Sequence, residues 1–369
     1  MKFRFEHGAL LAVAGLASGL VYTVATNPLE NRTSAPKATL RLAASALAPT
    51  PVYAPIPAEI FPHEIYAPAS EAALKAAVKT FKMAGVDNLI GYFSVEGAQR
   101  QHRLQRMKTT GALSKTFNQL GYDLDRVRSG EAGVPRLFLA SLPTDIKNIR
   151  ETRVKKALFF KTLLPLVLQA NEELLRDRRR LWTLHSQKSL GQKPGPADRL
   201  WLMVMAERYG VKTNVIDTLL KHVDIIPPSL ALAQAAEESG WGTSRFVREG
   251  NAVFGQWTFA KTGSLVPTDR DENKTHRIRA FSNLLDSVRA YAFNLNTHRA
   301  YRQLRKVRSS LRLNGAPLDG LLMVDNLKSY SQRGEKYVAG IRALIEGNNL
   351  HRFDDARLRD TTSGPRSLI

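Results

Sequence analysis

Apolar positions recur at helical spacing through most of the chain after residue 70. Leu74, Ala77/Val78 and Phe81 mark a first helix stopped at Gly85. Residues 152–182 read as a longer helix that should kink or break at Pro165. An aperiodic loop over 186–196 follows, and then Leu200, Met203/Val204 and Glu207 lead to Gly210 as a stop. Asn214 with Asp217, and Asn283 with Asp286, have the spacing of N-terminal caps. The second precedes a stripe of Leu284, Val288, Tyr291/Ala292 and Leu295 that belongs in a core. One short β signal interrupts the helices: residues 264–268 and 275–281 flank a polar turn over 269–274 and should pair as a hairpin. The fold class expected is mainly α (α+β) with a small β-hairpin lobe. No amphipathic period is sustained over 348–369, which predicts a mobile tail.

The first residues differ in kind. Lys2 and Arg4 stand against Glu6, residues 8–28 carry no charge, and the apolar part is concentrated in 9–25. A helix over those 17 residues would be about 25 Å long, short of a bilayer core of roughly 30 Å. Thr23-Val24-Ala25 offers a small-residue cleavage site, so residues 1–26 read as an export signal or a membrane anchor. Pro49, Pro51, Pro55, Pro57, Pro62 and Pro68 favour extended backbone over 27–69, the composition of a linker.

Charge narrows the class of partner. Lys plus Arg number 54 against 33 for Asp plus Glu, a net of +21, which favours an anionic polymer or surface. The absence of cysteine excludes disulfides, a thiolate nucleophile and a zinc site built on Cys. Arg299, Arg302, Arg305, Lys306, Arg308 and Arg312 share a helix with the apolar stripe Tyr301, Leu304, Val307/Arg308 and Leu311, so they read as a solvated face. Arg176, Arg178, Arg179 and Arg180 read likewise, near a helix C-terminus where cations are favoured. No nucleic-acid motif accompanies either run, and an export segment would remove the chain from cytoplasmic nucleic acid, so nucleic acid is not expected as a partner.

Residues 227–259 carry the chemistry: PPSLALAQAAEESGWGTSRFVREGNAVFGQWTF. Pro227-Pro228 starts a helix, alanines and leucines sustain it, and Gly240 supplies a left-handed stop. On a helical wheel Leu232, Ala235, Ala236 and Ser239 share one face, and Glu237 points nearly opposite. Glu238 falls on the flank, where it can line a cleft wall. A carboxyl in the last turn meets the negative end of the helix dipole, and partial desolvation adds to the effect; both raise its pKa. An acid kept protonated near neutral pH can protonate a leaving glycosidic oxygen. The plain alternative is a pair of solvated glutamates at a helix end. Trp241, Phe254, Trp257 and Phe259 suit either stacking on sugar rings or a core, and Asn251 and Gln256 can hydrogen-bond sugar hydroxyl and acetamido groups.

AQAAEESGWGTSRF followed by GNAVFGQW resembles the glucosaminidase domain of bacterial peptidoglycan hydrolases (glycoside hydrolase family 73), in its Bax-like proteobacterial branch. The likeness is close over 200–347 and looser upstream, through 134–143 and 159–175. It implies a lysozyme-like catalytic domain over 200–347, preceded by a helical extension over 70–199. It also implies hydrolysis of the β-1,4 bond on the reducing side of N-acetylglucosamine in cell-wall glycan, by inversion or with help from the substrate's acetamido carbonyl, and with neither metal nor cofactor. By resemblance the general acid is Glu238. A second carboxylate belongs on the hairpin lobe, with Glu272 the first choice and Asp269 and Asp271 the alternatives, although the usual threonines before the acid are missing. Tyr330 matches the family's later tyrosine, while Ser331 and Gln332 depart from its motif. Trp241, Asn251, Phe254, Gln256, Trp257 and Tyr301 are the expected substrate contacts. The expected setting is a monomer in the periplasm of a Gram-negative bacterium, touching the membrane through its N-terminal segment. A lytic transglycosylase and an inactive wall-binding protein are the rival readings.

Overall fold

The computed structural model describes residues 104–258, 262–266 and 277–360. The expected export signal or anchor over 1–26, the expected linker over 27–69 and the helix expected over 70–85 therefore lie outside the described residues. Among the described residues, no helix is long and apolar enough to cross a membrane.

Helices dominate. In chain order they are α1 (Thr110–Gln119), α2 (Leu124–Arg128), α3 (Thr152–Ser189), α4 (Pro196–Tyr209), α5 (Val215–His222), α6 (Pro228–Ser239) and α7 (Arg245–Gly250), then α8 (Leu284–Thr297), α9 (Arg302–Leu313), α10 (Gly320–Met323) and α11 (Glu335–Gly347). Between α7 and α8 sit three short strands, β1 (Trp257–Thr258), β2 (Ser264–Leu265) and β3 (Arg277–Arg279). They form an antiparallel sheet in the order β1-β3-β2, with Leu265 opposite Ile278 and Trp257 opposite the same Ile278 on the other side. The expected hairpin is thus β2–β3, and β1 adds an edge that two residues of sequence do not announce.

α6 is the axis of the molecule. Its residues from Pro228 to Ala236 are all buried, and it packs against α3, α10, α11 and the 3-10 turn Leu350–Phe353. Four alanines let these neighbours approach closely on every side. One apolar cluster joins the N-terminal half of α3 (Phe159, Leu163, Leu166) to α6 (Leu230, Leu232), α8 (Val288, Tyr291) and α11 (Ile341, Ile345). Residues 104–170 and 226–358 therefore share a single core. A second cluster holds the far end of α3 (Leu181, Leu184) against Trp201 and Met205 of α4 and Leu219 of α5.

Several expectations are corrected. α3 does not break at Pro165: the proline removes a hydrogen bond to the Lys161 carbonyl, but it is itself buried, and Leu163, Leu164 and Leu166 beside it are fully enclosed. Burying such side chains stabilises by roughly 1.5–3 kcal/mol each, enough to offset a proline cost of about 3 kcal/mol. Asn214 starts α5 but does not cap it; its backbone is left-handed (φ 45°), which turns the side chain away from the first N–H groups. Asn283, extended, does cap α8, accepting from Asp286 N at 2.9 Å.

Part of the segment expected as a tail packs on the core. Leu350, Phe353 and Leu358 are buried, Val134 N donates to Arg357 O, and Arg359 N donates to Val134 O, both at 2.8 Å. Asp354 accepts from Ser229 N and Ser229 Oγ at 2.7 Å and from Gly320 N at 3.1 Å, tying the start of α6 to α10.

The basic runs are not simply solvated. Arg308, only 1% exposed, donates to the carbonyls of Lys221, His222, Asp224 and Ile225 at the end of α5. Arg305 reaches Leu295 O and His298 O at 2.9 Å. Arg312 pairs with the buried Asp224 at 2.9 Å, and Arg178 of α3 lies 3.5 Å from the same carboxylate while donating to Leu220 O and Val223 O. Helix C-termini leave carbonyls without partners, and these arginines supply the donors.

Candidate active site

α6 ends in an unusual turn. Gly240, Trp241 and Gly242 all have positive φ, at 56°, 60° and 79°. An aromatic residue in that region is strained, so its surroundings must hold it there. Trp241 lies edge to face with Phe159 and Phe160 of α3, centroids 5.8 and 5.4 Å away, and Lys156 Nζ sits 4.6 Å above its ring. A Cβ on Gly242 would stand 2.5 Å from Leu142 Cδ1 and 3.3 Å from Phe159, so only glycine fits. The Gly-Trp-Gly run is thus a docking joint between α6 and α3. Trp241, expected as a substrate contact, packs on the core, and the residues lining the cleft do not include it.

The cleft itself encloses 2110 Å³. The β-lobe contributes Trp257, Thr258, Gly263 and Arg279; α6 contributes Glu238; and Tyr301, Tyr330 and Arg333 close the other wall. Glu207, Arg208 and Tyr209 from the end of α4 extend it, with Phe293 and Thr297 of α8.

Glu238 is half-buried in this wall, on the helix flank the wheel assigned to it. Its Oε1 accepts from Tyr337 Oη at 2.8 Å, whereas Oε2 faces Gly255, whose absent Cβ would lie 3.8 Å away. Burial raises its pKa above the ordinary carboxyl value, with Glu237 adding to the rise; the Tyr337 hydrogen bond and Arg333 oppose it. Glu237 takes a different part, paired with Arg333 at 2.6 Å on the open side.

Two parallel ring stacks flank the carboxyl. Phe254 lies on Tyr291 with centroids 3.9 Å apart, and Tyr330 lies on Tyr337 at 5.5 Å. Tyr301 adjoins Tyr330 at 6.0 Å. Burial pushes the Tyr330 phenol well above its usual pKa, so it remains neutral. Phe254, Gln256, Trp257, Tyr301 and Tyr330 all line the cleft, and Trp257 is 65% exposed at its mouth. Asn251 does not. It terminates α7 with φ 50°, and its Nδ2 donates to Phe281 O at 3.1 Å, a structural role in place of a position in the cleft lining. Glu272, Asp269 and Asp271 fall between β2 and β3, outside the described residues.

The sequence reading missed Tyr337, Gln234 and Arg279. Gln234 stands one turn before Glu238, a spacing that puts both on one helix face, and this was the available signal. Tyr291 was legible only as core. Among the described residues no group of three or more acidic or histidine side chains is placed to hold a metal.

Comparison with known proteins bears on this geometry. The family model described as mannosyl-glycoprotein endo-beta-N-acetylglucosaminidase matches residues 214–350. Protein bax of Escherichia coli (strain K12) is 35% identical over 215 residues, covering 57% of this chain and 75% of that protein. The crystal structure of the catalytic domain of the autolysin Auto from Listeria monocytogenes matches over 47% of this chain and 97% of its own, at 18% identity and a TM-score of 0.29. On the 35% identity to Protein bax over 75% of its length, together with the family model, the chain belongs to the Bax-like glucosaminidase family.

Proposed function

We propose that the protein is a peptidoglycan hydrolase that cleaves the β-1,4 bond after N-acetylglucosamine in the glycan strand, with Glu238 as the general acid. One observation carries this reading: a half-buried carboxyl, its pKa raised chiefly by burial, opens onto a long cleft through one oxygen while the other is occupied by Tyr337. A group so placed is neutral at a pH where an ordinary glutamate is ionised, and it can give its proton to the leaving oxygen.

The walls suit a sugar polymer. Trp257 and Tyr330 offer ring faces to the apolar sides of pyranose rings, and Gln256 offers an amide for hydroxyl or acetamido groups. Arg208, Arg279 and Arg299 add positive charge along the same cleft, in keeping with carboxylates on the stem peptides of the polymer. The acid that activates water, or orients an acetamido carbonyl, belongs to the β2–β3 connection, with Glu272 the first candidate. We assign the protein to the periplasm of a Gram-negative bacterium, entered through the segment 1–26.

The test is digestion of purified sacculi by the full chain and by Glu238→Gln. Release of reducing ends by the first and not the second supports the reading; equal release, or release by neither, overturns it.

A further inference from the structure

Behind Glu238 three side chains are joined head to tail. Tyr291 Oη donates to Gln234 Oε1 at 2.7 Å, Gln234 Nε2 donates to Tyr337 Oη at 2.9 Å, and Tyr337 Oη donates to Glu238 Oε1 at 2.8 Å. Gln234 is fully enclosed, and Tyr291 and Tyr337 are each 1% exposed, so water has no access to substitute for a link. Gln234 shares α6 with Glu238, while the tyrosines arrive from α8 and α11.

The chain of bonds has a fixed polarity. A phenol carries one hydrogen, and Tyr291 commits it to Gln234 Oε1, making no other hydrogen bond among the described residues. The amide must then turn its NH₂ toward Tyr337. Because Tyr337 Oη already accepts from that NH₂, its own hydrogen is free for Glu238. Reversing every link would flip the glutamine and leave the Tyr291 O–H buried without an acceptor, which burial makes costly. Burial and the neighbouring Glu238 hold the Tyr337 phenol far above its usual pKa, so it remains a donor.

Glu238 Oε1 is thereby kept an acceptor, and a proton on this carboxyl is confined to Oε2, the oxygen facing Gly255 and the cleft. We propose that Gln234, Tyr291 and Tyr337 are positioning residues, a polarised relay that assigns the acidic proton of Glu238 to the oxygen that meets the substrate. The inference rests on the reading of Glu238 as general acid. In the step it serves, the proton leaves Oε2 for the glycosidic oxygen as the C–O bond breaks, and the bonding pair stays on that oxygen. The new carboxylate is met by the Tyr337 O–H, whose hydrogen bond strengthens as charge develops. Water completing the hydrolysis returns the proton.

The test compares kcat, KM and pH profiles of the full chain on isolated glycan, normalised to folded protein, for Tyr291→Phe, Tyr337→Phe and Glu238→Gln. Both phenylalanines keep the ring stacks on Phe254 and Tyr330 and remove only an oxygen. Tyr122→Phe is the control, since the Tyr122 hydroxyl is buried with no partner and lies outside the cleft lining. Tyr337→Phe is expected to lower kcat by about ten- to a hundredfold, with KM within about twofold. It should also move the alkaline limb upward, because the carboxylate loses a donor. Tyr291→Phe touches neither carboxyl nor cleft, yet should lower kcat about three- to tenfold and move the limb in the same direction. An inactive Glu238→Gln beside a Tyr291→Phe with unchanged kcat and limb overturns the relay alone. A fully active Glu238→Gln overturns the general-acid reading and the relay with it.

Discussion

The ring of Trp241 meets that of Phe160 nearly at a right angle, with centroids 5.4 Å apart. Glu238 lies three residues before that indole, so the position of the carboxyl depends on α3, which lies outside the family-matched segment 214–350. Phe160→Ala is expected to cost about 3–5 kcal/mol in denaturant unfolding. At a temperature where the variant is still folded, kcat should fall more than KM rises, because the loss reaches the acid rather than the sugar contacts. Gly242→Ala should do the same through its clash with Leu142.

Asp224 is 2% exposed and surrounded by Arg178, Arg308 and Arg312. Burial raises its pKa, but the three guanidinium groups outweigh that and hold it below the ordinary value. Asp224→Ala would leave buried arginines unpaired and should destabilise the fold by about 3–5 kcal/mol. A depressed acid contributes stability above its unfolded pKa and loses it as pH falls through the folded value. The gap between wild type and variant, measured by thermal melts, should therefore close in strong acid.

Glu238 behaves in the opposite sense. Its folded pKa is raised, so folding favours the protonated form, and the wild type loses stability as pH climbs from the ordinary carboxyl value through the raised one. Glu238→Gln keeps an acceptor for Tyr337 without the charge. It should melt higher than wild type at neutral pH, with the difference vanishing below the ordinary carboxyl range. A variant less stable at neutral pH would contradict the raised pKa.

Trp257 is open to solvent at the cleft mouth, so Trp257→Ala should leave stability within about 0.5 kcal/mol. As a stacking platform its loss should raise KM several-fold on glycan with little change in kcat. Isothermal titration with an inactive Glu238→Gln background reads the same loss as weaker binding.

What the sequence made legible was local. The alanine-rich helix, its Gly240 stop, the flank position of Glu238, the α8 stripe and the β2–β3 pairing all follow from periods of 3.6 or 2 and from cap chemistry. What it hid was tertiary. Arg308 and Arg178 look like surface residues because charge alone does not reveal the carbonyl ends they cap. Trp241 is drawn from the sugar to the core by Phe159 and Phe160, some 80 residues upstream. Leu350, Phe353 and Leu358 anchor the tail through a 3-10 turn and a single bridge, neither of which leaves a helical or alternating pattern.

The most direct measurement is mass spectrometry of the fragments released from sacculi. Products ending in reducing N-acetylglucosamine, absent with Glu238→Gln, are what a glucosaminidase driven by this acid must give. Anhydro-muramic ends, or N-acetylglucosamine ends that persist in the variant, would contradict it.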